Sequence, residues 1–390
     1  VAASHRIVVV GGGLIGSAAA RHLARMGEDI AVIAPPEPDD RRSHHGVFAS
    51  HYDEGRITRI LDPDPDWALT AARSIARYAE LERDSGIRFY EPSGFLMFAP
   101  RDADKLAAAG AVGNALGARF DALDTAALRT RFPYLRFPDG EAGLHEAKTG
   151  GYVSPRALVA AQLEAARRAG AEIVPAAARR DTPVSGGVEV ETLDGRVVLA
   201  ERALVAAGGF TNAWGLTPRR LDLTVFGRTV VLIRVDGPVL EELRPMPSLV
   251  GAGAYLLPPI RYPDGHWYVK IGVGTDDDAQ LDGRDELDRW FKSTGSAENR
   301  AEFLKIITAL IPSLTGNDAI HTDTCVTTYA RTGLPMIDWV DDVQRIAVAV
   351  AGNGKGAKSS DDWGYAGALL VAGRDWDHPI APNRLAAAFA

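Results

Sequence analysis

Cysteine is all but missing from this 390-residue chain: Cys325 stands alone, so no intrachain disulfide can form. Cations are outnumbered, 43 Lys and Arg against 51 Asp and Glu, and the net charge of −8 argues against a nucleic-acid surface, which needs clustered Lys and Arg. No apolar run reaches the roughly 18 residues of a membrane helix, and no charged-then-apolar leader is visible, so neither a membrane partner nor export is expected. Together with the lone cysteine, these absences predict a cytoplasmic protein. Internal repeats, low-complexity tracts and long linkers are lacking as well. At roughly 100–200 residues per domain, the length predicts two or three domains.

What is present is concentrated first in Ile7 to Ala20, IVVVGGGLIGSAAA. Ile7, Val8, Val9 and Val10 read as a buried parallel strand, followed at once by Gly11, Gly13 and Gly16. In a strand-turn-helix unit, Gly11 permits the tight turn, Gly13 lets a pyrophosphate approach the backbone, and Gly16 lets helix and strand pack closely. The helix opening there aims free N–H groups and its positive dipole end at the phosphates. Gly27 stops the helix and Asp29 to Ala34 reads as a second strand, so the motif has the context it requires. An adenine dinucleotide is the implied ligand. The second strand ends at Ala34, without the usual ribose carboxylate, which leaves Glu37 or Asp39 in the following loop to make that contact.

Arg41 to Arg59 is a polar loop dense in His and Arg, leaving the carboxyl end of a parallel strand, where such sheets bind ligands. Asp66 to Ser85 has helical periodicity, and Ile87 to Ala99 reads as two strands about a Pro-Ser-Gly turn. Residues 101–135 read as a helical pair. Ser154 to Gly170 carries a Ser N-cap with Pro behind it, and Ala203 to Gly209 as a strand returning to the nucleotide sheet. From Leu221 to Gly274 strands follow one another without helices, which predicts a largely antiparallel second sheet. Asp285 to Leu314 is helical again. The strand Arg345 to Ala351 then runs into GNGKGAKSS, with a helix expected from about Ser360 to Ala372 and a second anion-binding backbone at Gly352, Gly354 and Gly356.

The GGGLIG motif, the loop Ser43-His44-His45-Gly46, the segment CVTTYARTGLPMID and the terminal GNGKGAKSS occur in an order and spacing that resemble the monomeric sarcosine oxidase group. These are FAD-dependent amine and amino-acid oxidases of the D-amino-acid oxidase-like superfamily. The resemblance implies FAD as cofactor, with Ser43, His44 and His45 at the flavin and Cys325 as the point of covalent attachment. It implies a substrate carboxylate held between an Arg after the His-His loop and a Lys in the terminal loop. Here these are Arg59 and Lys358, with Arg56 near the ring and Lys355 as the alternative lysine. The insertion VFASHYD separates the arginines from the His-His loop, so His51, Tyr52 or Asp53 are further pocket candidates. Lys270, in WYVKIGVG, matches the lysine that speeds reaction with oxygen. Val273 and Gly274 stand where the group has a pocket His, which points to a substrate bulkier than sarcosine.

The expectation is an α/β protein: a discontinuous Rossmann-like FAD-binding domain (1–86, 145–220 and 320–390) and a substrate domain on a largely antiparallel sheet (87–144 and 221–319). The resemblance implies transfer of a hydride from the carbon beside the nitrogen of an amino acid or N-substituted amino acid. The imine hydrolyses and molecular oxygen becomes hydrogen peroxide, in a monomer or small homo-oligomer without a metal. Two readings stay open beside it: a dehydrogenase of the same fold with another electron acceptor, and an NAD-binding Rossmann protein.

Overall fold

The computed structural model describes residues 5–390. Strand β1 (His5–Val10) is buried from Ile7 onward, and each fully buried Ile or Val there contributes about 1.5–3 kcal/mol of transfer free energy. It pairs in parallel with β2 (Ile30–Ile33) on one side and with the strand Val197–Val205 on the other. The strand Ile346–Val350 adds in parallel beyond Val197–Val205, and Glu172–Val174 beyond β2. An antiparallel flap, Ala178–Val184 with Gly187–Thr192, and the strand Met336–Trp339 complete eight strands among the described residues. Helix α1 (Leu14–Arg25) crosses between β1 and β2 and packs against the helices Pro155–Arg168 and Gly356–Ala372.

Where those helices meet lies a largely buried charged network. Asp361 binds Arg21 at 2.5 Å, Arg77 at 2.6 Å and Gln162 at 2.9 Å. Asp362 binds Arg73 at 2.8 Å and His378 at 3.0 Å. Every buried carboxylate there is answered by a cation, the condition on which such charges are tolerated in a core.

The second sheet runs Ile320–Ala330, Leu223–Val235, Trp267–Gly272, Ala254–Arg261, Ser248–Gly251, Phe95–Pro100, Glu141–Glu146, Asp121–Leu123. All neighbours are antiparallel except Ser248–Gly251 beside Phe95–Pro100. A third, three-stranded sheet joins β3 (Arg56–Thr58), Gly151–Val153 and Tyr90–Glu91. Helix α2 (Pro65–Ser85) follows β3, capped by Asp64, whose side chain accepts from the Asp66 and Trp67 amides.

Four local expectations shift. The run of strands from Leu221 to Gly274 is interrupted by a short helix, Gly237–Leu243, with Pro at its start. The strand Ile320–Ala330 pairs along its whole length with Leu223–Val235, so it belongs to the second sheet rather than with residues 331–390. Tyr90–Glu91 and Phe95–Pro100, the two strands about the Pro-Ser-Gly turn, enter different sheets. The last long helix begins at Gly356, four residues before Ser360, so the glycine-lysine loop supplies its first turn. Propensity favoured a later start, because glycine weakens a helix; the tertiary contact with α1 and α2 overrides it.

Candidate functional site

The cavity between the two large sheets has a volume of about 270 Å³, close to the lower end of the ~300–1,000 Å³ of an ordinary small-molecule site. Its floor is the glycine turn after β1. A Cβ on Gly11, where φ is +108°, would lie 2.6 Å from the Ala206 carbonyl oxygen, and one on Gly16 would lie 1.9 Å from that of Gly11. A Cβ on Gly13 would meet nothing within 4 Å. The first two glycines therefore serve protein packing, and the third keeps a space open on the cavity wall. Gly13 also caps α1 without any side-chain bond, and no acidic residue sits in the helix's first turn, which leaves an anion seat.

Beyond β2, Pro35 lines the cavity. Glu37 is taken by Arg156, at 2.6 and 3.0 Å, and Asp39 is exposed; neither borders the cavity. The His-His loop is placed one step outside. Ser43 is exposed and donates to Asp40 at 2.7 Å, His44 Nε2 lies 3.0 Å from the Val47 carbonyl oxygen, and His45 is exposed. It is the inserted segment, Val47 to Tyr52, that forms the wall. Ser50 pins it to the strand Ile320–Ala330, its hydroxyl donating to the Val326 carbonyl at 2.8 Å and accepting from the Val326 amide at 3.1 Å. Phe48 stacks on Phe291 with ring centroids 5.0 Å apart. His51 is pushed down to about 4 by burial, so it lines the wall as a neutral imidazole at pH 7.

On the opposite wall stand Cys325, Val326, Thr327 and Thr328, then Gly352, Gly354, Gly356 and Ala357. Cys325 is half-buried, and its backbone is in register with Arg228, whose guanidinium holds Thr327 at 2.8 Å and Tyr329 at 3.0 Å. Asn353 ties the glycine loop to the same strand, its amide donating to Thr328 at 2.8 Å and its side-chain oxygen accepting from Ala330 at 3.0 Å.

Two carboxylates organise the cations. Asp53, supplied by the inserted segment, ion-pairs with both Lys270 and Arg56 and accepts the Tyr262 hydroxyl at 2.9 Å. Lys270 has no exposed surface and gives a second bond to the Gly55 carbonyl at 2.9 Å; Arg56 borders the cavity. Burial, then the neighbouring Arg56, pushes Lys270 well below its ordinary value, with Asp53 as the adjacent counter-charge. Asp62, also fully buried, collects Arg59 at 3.2 Å, Lys355 at 3.0 Å and Lys358 at 2.8 Å. Burial alone would raise the Asp62 carboxyl, but Lys358, Arg59 and Lys355 together hold it well below the carboxylate range. Burial lowers Lys358 to about 7. The tertiary structure thus brings Arg59 and Lys358 together, but on an internal carboxylate. Neither side chain lines the cavity.

The model of the FAD-dependent oxidoreductase family described as "FAD dependent oxidoreductase" matches residues 6–366. The chain belongs to this family. It is 34% identical over 196 residues to monomeric sarcosine oxidase of Streptomyces avermitilis, spanning 49% of this chain and 48% of that enzyme. Against N-methyl-L-tryptophan oxidase of Salmonella newport it is 24% identical over 393 residues, 97% of this chain and 98% of the other. Among solved structures, NikD, an unusual amino acid oxidase, superposes with a TM-score of 0.77 at 20% identity over 100% of this chain and 98% of NikD. Glycine oxidase from Geobacillus kaustophilus gives 0.76 at 22% identity, covering 98% of each.

As an FAD-dependent oxidoreductase, the chain fits its cofactor at three observed places: the open space at Gly13, the uncapped first turn of α1, and a continuous cavity from there to Cys325 and Gly354. The family resemblance had pointed to most of these residues. Asp62 escaped it and Asp53 entered only as a pocket candidate, although each lies three residues from an expected arginine, a spacing that could have flagged the pairs.

Proposed function

We propose that this flavoprotein oxidises the C–N bond of a small amine to an imine, which hydrolyses, and passes the electrons to oxygen to give hydrogen peroxide. The supporting observation is the single cavity that runs from the phosphate seat at Gly13 to a wall carrying Arg56, His51 and Cys325. Bound FAD supplies the two-electron acceptor for a hydride and, once reduced, the donor to oxygen. The amides of Gly12 to Ile15 would hold the diphosphate, with the α1 dipole behind them, the Gly11 amide being spent on the Ile33 carbonyl. The amides of Gly352, Gly354 and Gly356, at a helix N-terminus, present positive partial charge to the cavity, where negative charge would gather on reduction. Arg56, on the cavity wall, adds a cation where oxygen takes up an electron, and Lys270 lies behind it on Asp53, off the wall. His51, pushed down to about 4 by burial, is too weak a base to keep a proton taken from an ammonium group, so the reacting amine loses that proton elsewhere. Cys325 stands on the wall as the attachment point, and His44 acts through the segment it holds at the Val47 carbonyl, whereas Ser43 and His45 do not border the cavity.

The test is an absorption spectrum of purified protein followed by anaerobic mixing with a panel of amines and amino acids. Flavin bands that bleach on mixing, and peroxide released on admitting air, are expected. Absence of flavin after incubation with FAD overturns the reading. The Asp53 carboxylate against both Lys270 and Arg56 favours one second reading, a dehydrogenase with another acceptor. Bleaching without oxygen uptake identifies it.

A further inference from the structure

We propose that a second cavity, apart from the one between the two large sheets, binds a free α-amino acid with an apolar side chain. The proposal goes beyond the oxidase reading and stands or falls without it.

This cavity has a volume of about 690 Å³, within the ~300–1,000 Å³ of small-molecule sites, and shares no lining residue with the first. It opens where the helix Thr125–Arg131, the strand Glu141–Glu146 and the end of the helix Gly237–Leu243 meet. Phe132, Tyr134, Pro245 and Pro247 give it an apolar lining, and Arg131, His145 and Glu242 border the same space. Arg131 spends only Nη1, on Asp121 at 2.5 Å and on His145 Nδ1 at 3.2 Å, so its Nε and Nη2 stay available. A guanidinium can only donate; Nδ1 of His145 therefore accepts, and the ring proton sits on Nε2. Burial, then Arg131, pushes His145 below its ordinary value, which keeps the ring neutral at pH 7. The Nε2–H has no partner among the described residues, and Gly94 leaves it uncovered, since a Cβ there would lie 3.2 Å from that nitrogen. Glu242 is without a cation among the described residues as well, whereas its neighbour Glu241 is taken by Arg244 at 2.7 Å.

The charges select the ligand. A simple anion would meet the donors of Arg131 and His145 but also the carboxylates of Asp121 and Glu242, which repel it. A simple cation would meet Glu242 and leave those donors without an acceptor. A zwitterion answers both sets: its carboxylate takes the free N–H groups of Arg131 and the Nε2–H of His145, and its ammonium takes Glu242. The aromatic and proline surface then receives an apolar side chain. Arg131 and Glu242 are exposed, so solvent screens both ion pairs and the dissociation constant should be about a millimolar.

The probe is L-phenylalanine, with phenylacetate, which lacks the ammonium, and phenethylamine, which lacks the carboxylate, as matched controls. Each is titrated by calorimetry into the FAD-loaded enzyme without oxygen, and the flavin spectrum is recorded along the same titration. Phenylalanine should bind saturably with no flavin change on that curve, and both controls should bind about tenfold more weakly or worse. Glu242→Gln should weaken phenylalanine by about tenfold while sparing phenylacetate; His145→Ala should weaken both. Absence of saturable binding up to about 20 mM, or either control binding as tightly as phenylalanine, overturns the proposal on the wild type alone. A flavin change that follows the binding curve places the ligand in the first cavity and overturns it too, as does wild-type affinity in both variants.

Discussion

Asp62 and Cys325 carry the consequences that can be read at single side chains. Asp62 has three cations on it and no exposed surface, so replacing it with Asn leaves buried positive charge uncompensated; the loss should be about 3–5 kcal/mol at pH 7. The pH dependence follows from the depressed carboxyl. Its contribution is complete above the ordinary carboxylate range, near pH 4, and is lost as pH falls through the lower folded value. Melting curves from neutral pH downward should thus fall more steeply for wild type than for Asp62→Asn, and the two should converge in strong acid. Parallel curves would show that Asp62 is not ionised against its partners. For Cys325, half-buried on the cavity wall, acid precipitation is the direct assay: yellow colour should stay with the wild-type pellet and leave with the supernatant in Cys325→Ala. Both residues differ in how far the sequence announced them. The family motif marked Cys325, whereas the role of Asp62 depends on Lys355 and Lys358, which lie almost three hundred positions further along the chain.

At the scale of the element, the strand-turn-helix unit separates two kinds of glycine that a motif treats alike. Gly16→Ala drives a methyl to 1.9 Å from a backbone oxygen, so β1 and α1 must part; the apoprotein itself should lose about 1–3 kcal/mol or more. Gly13→Ala meets only open space at an ordinary φ of −74°, so the apoprotein should melt as wild type does while FAD affinity drops. Melting temperature and bound flavin, measured on both variants, check the distinction. The inserted segment Val47 to Tyr52 makes the complementary point. Its composition reads as a surface loop, yet Ser50 stitches it to the strand Ile320–Ala330 and Phe48 to Phe291, so it becomes wall. Local sequence does not report a pairing made with a strand some 275 positions away.

For the whole molecule, the cavity draws its lining from both large sheets, β1 and Ile346–Val350 on one side and Ile320–Ala330 on the other. A ligand seated there binds only the folded chain with both sheets in place. Free FAD at a hundred times its dissociation constant should stabilise a non-covalent holoprotein, such as Cys325→Ala, by about 2.7 kcal/mol. Titrating FAD while following the melt of that variant tests it, and a melt indifferent to FAD would mean the cavity is not its seat. The periodicity and glycine spacing of the chain by themselves determined the α/β class, the nucleotide seat and the antiparallel second sheet, because hydrophobic pattern and turn chemistry act over a few neighbouring residues. Only the tertiary structure decided that Asp53 and Asp62 answer the site's cations, that Lys270 is wholly buried, and which sheet receives Cys325. The reason is physical: a charge acquires its role from whatever partner folding places within about 4 Å of it, and in a low-dielectric core that partner's identity outweighs every neighbour in sequence.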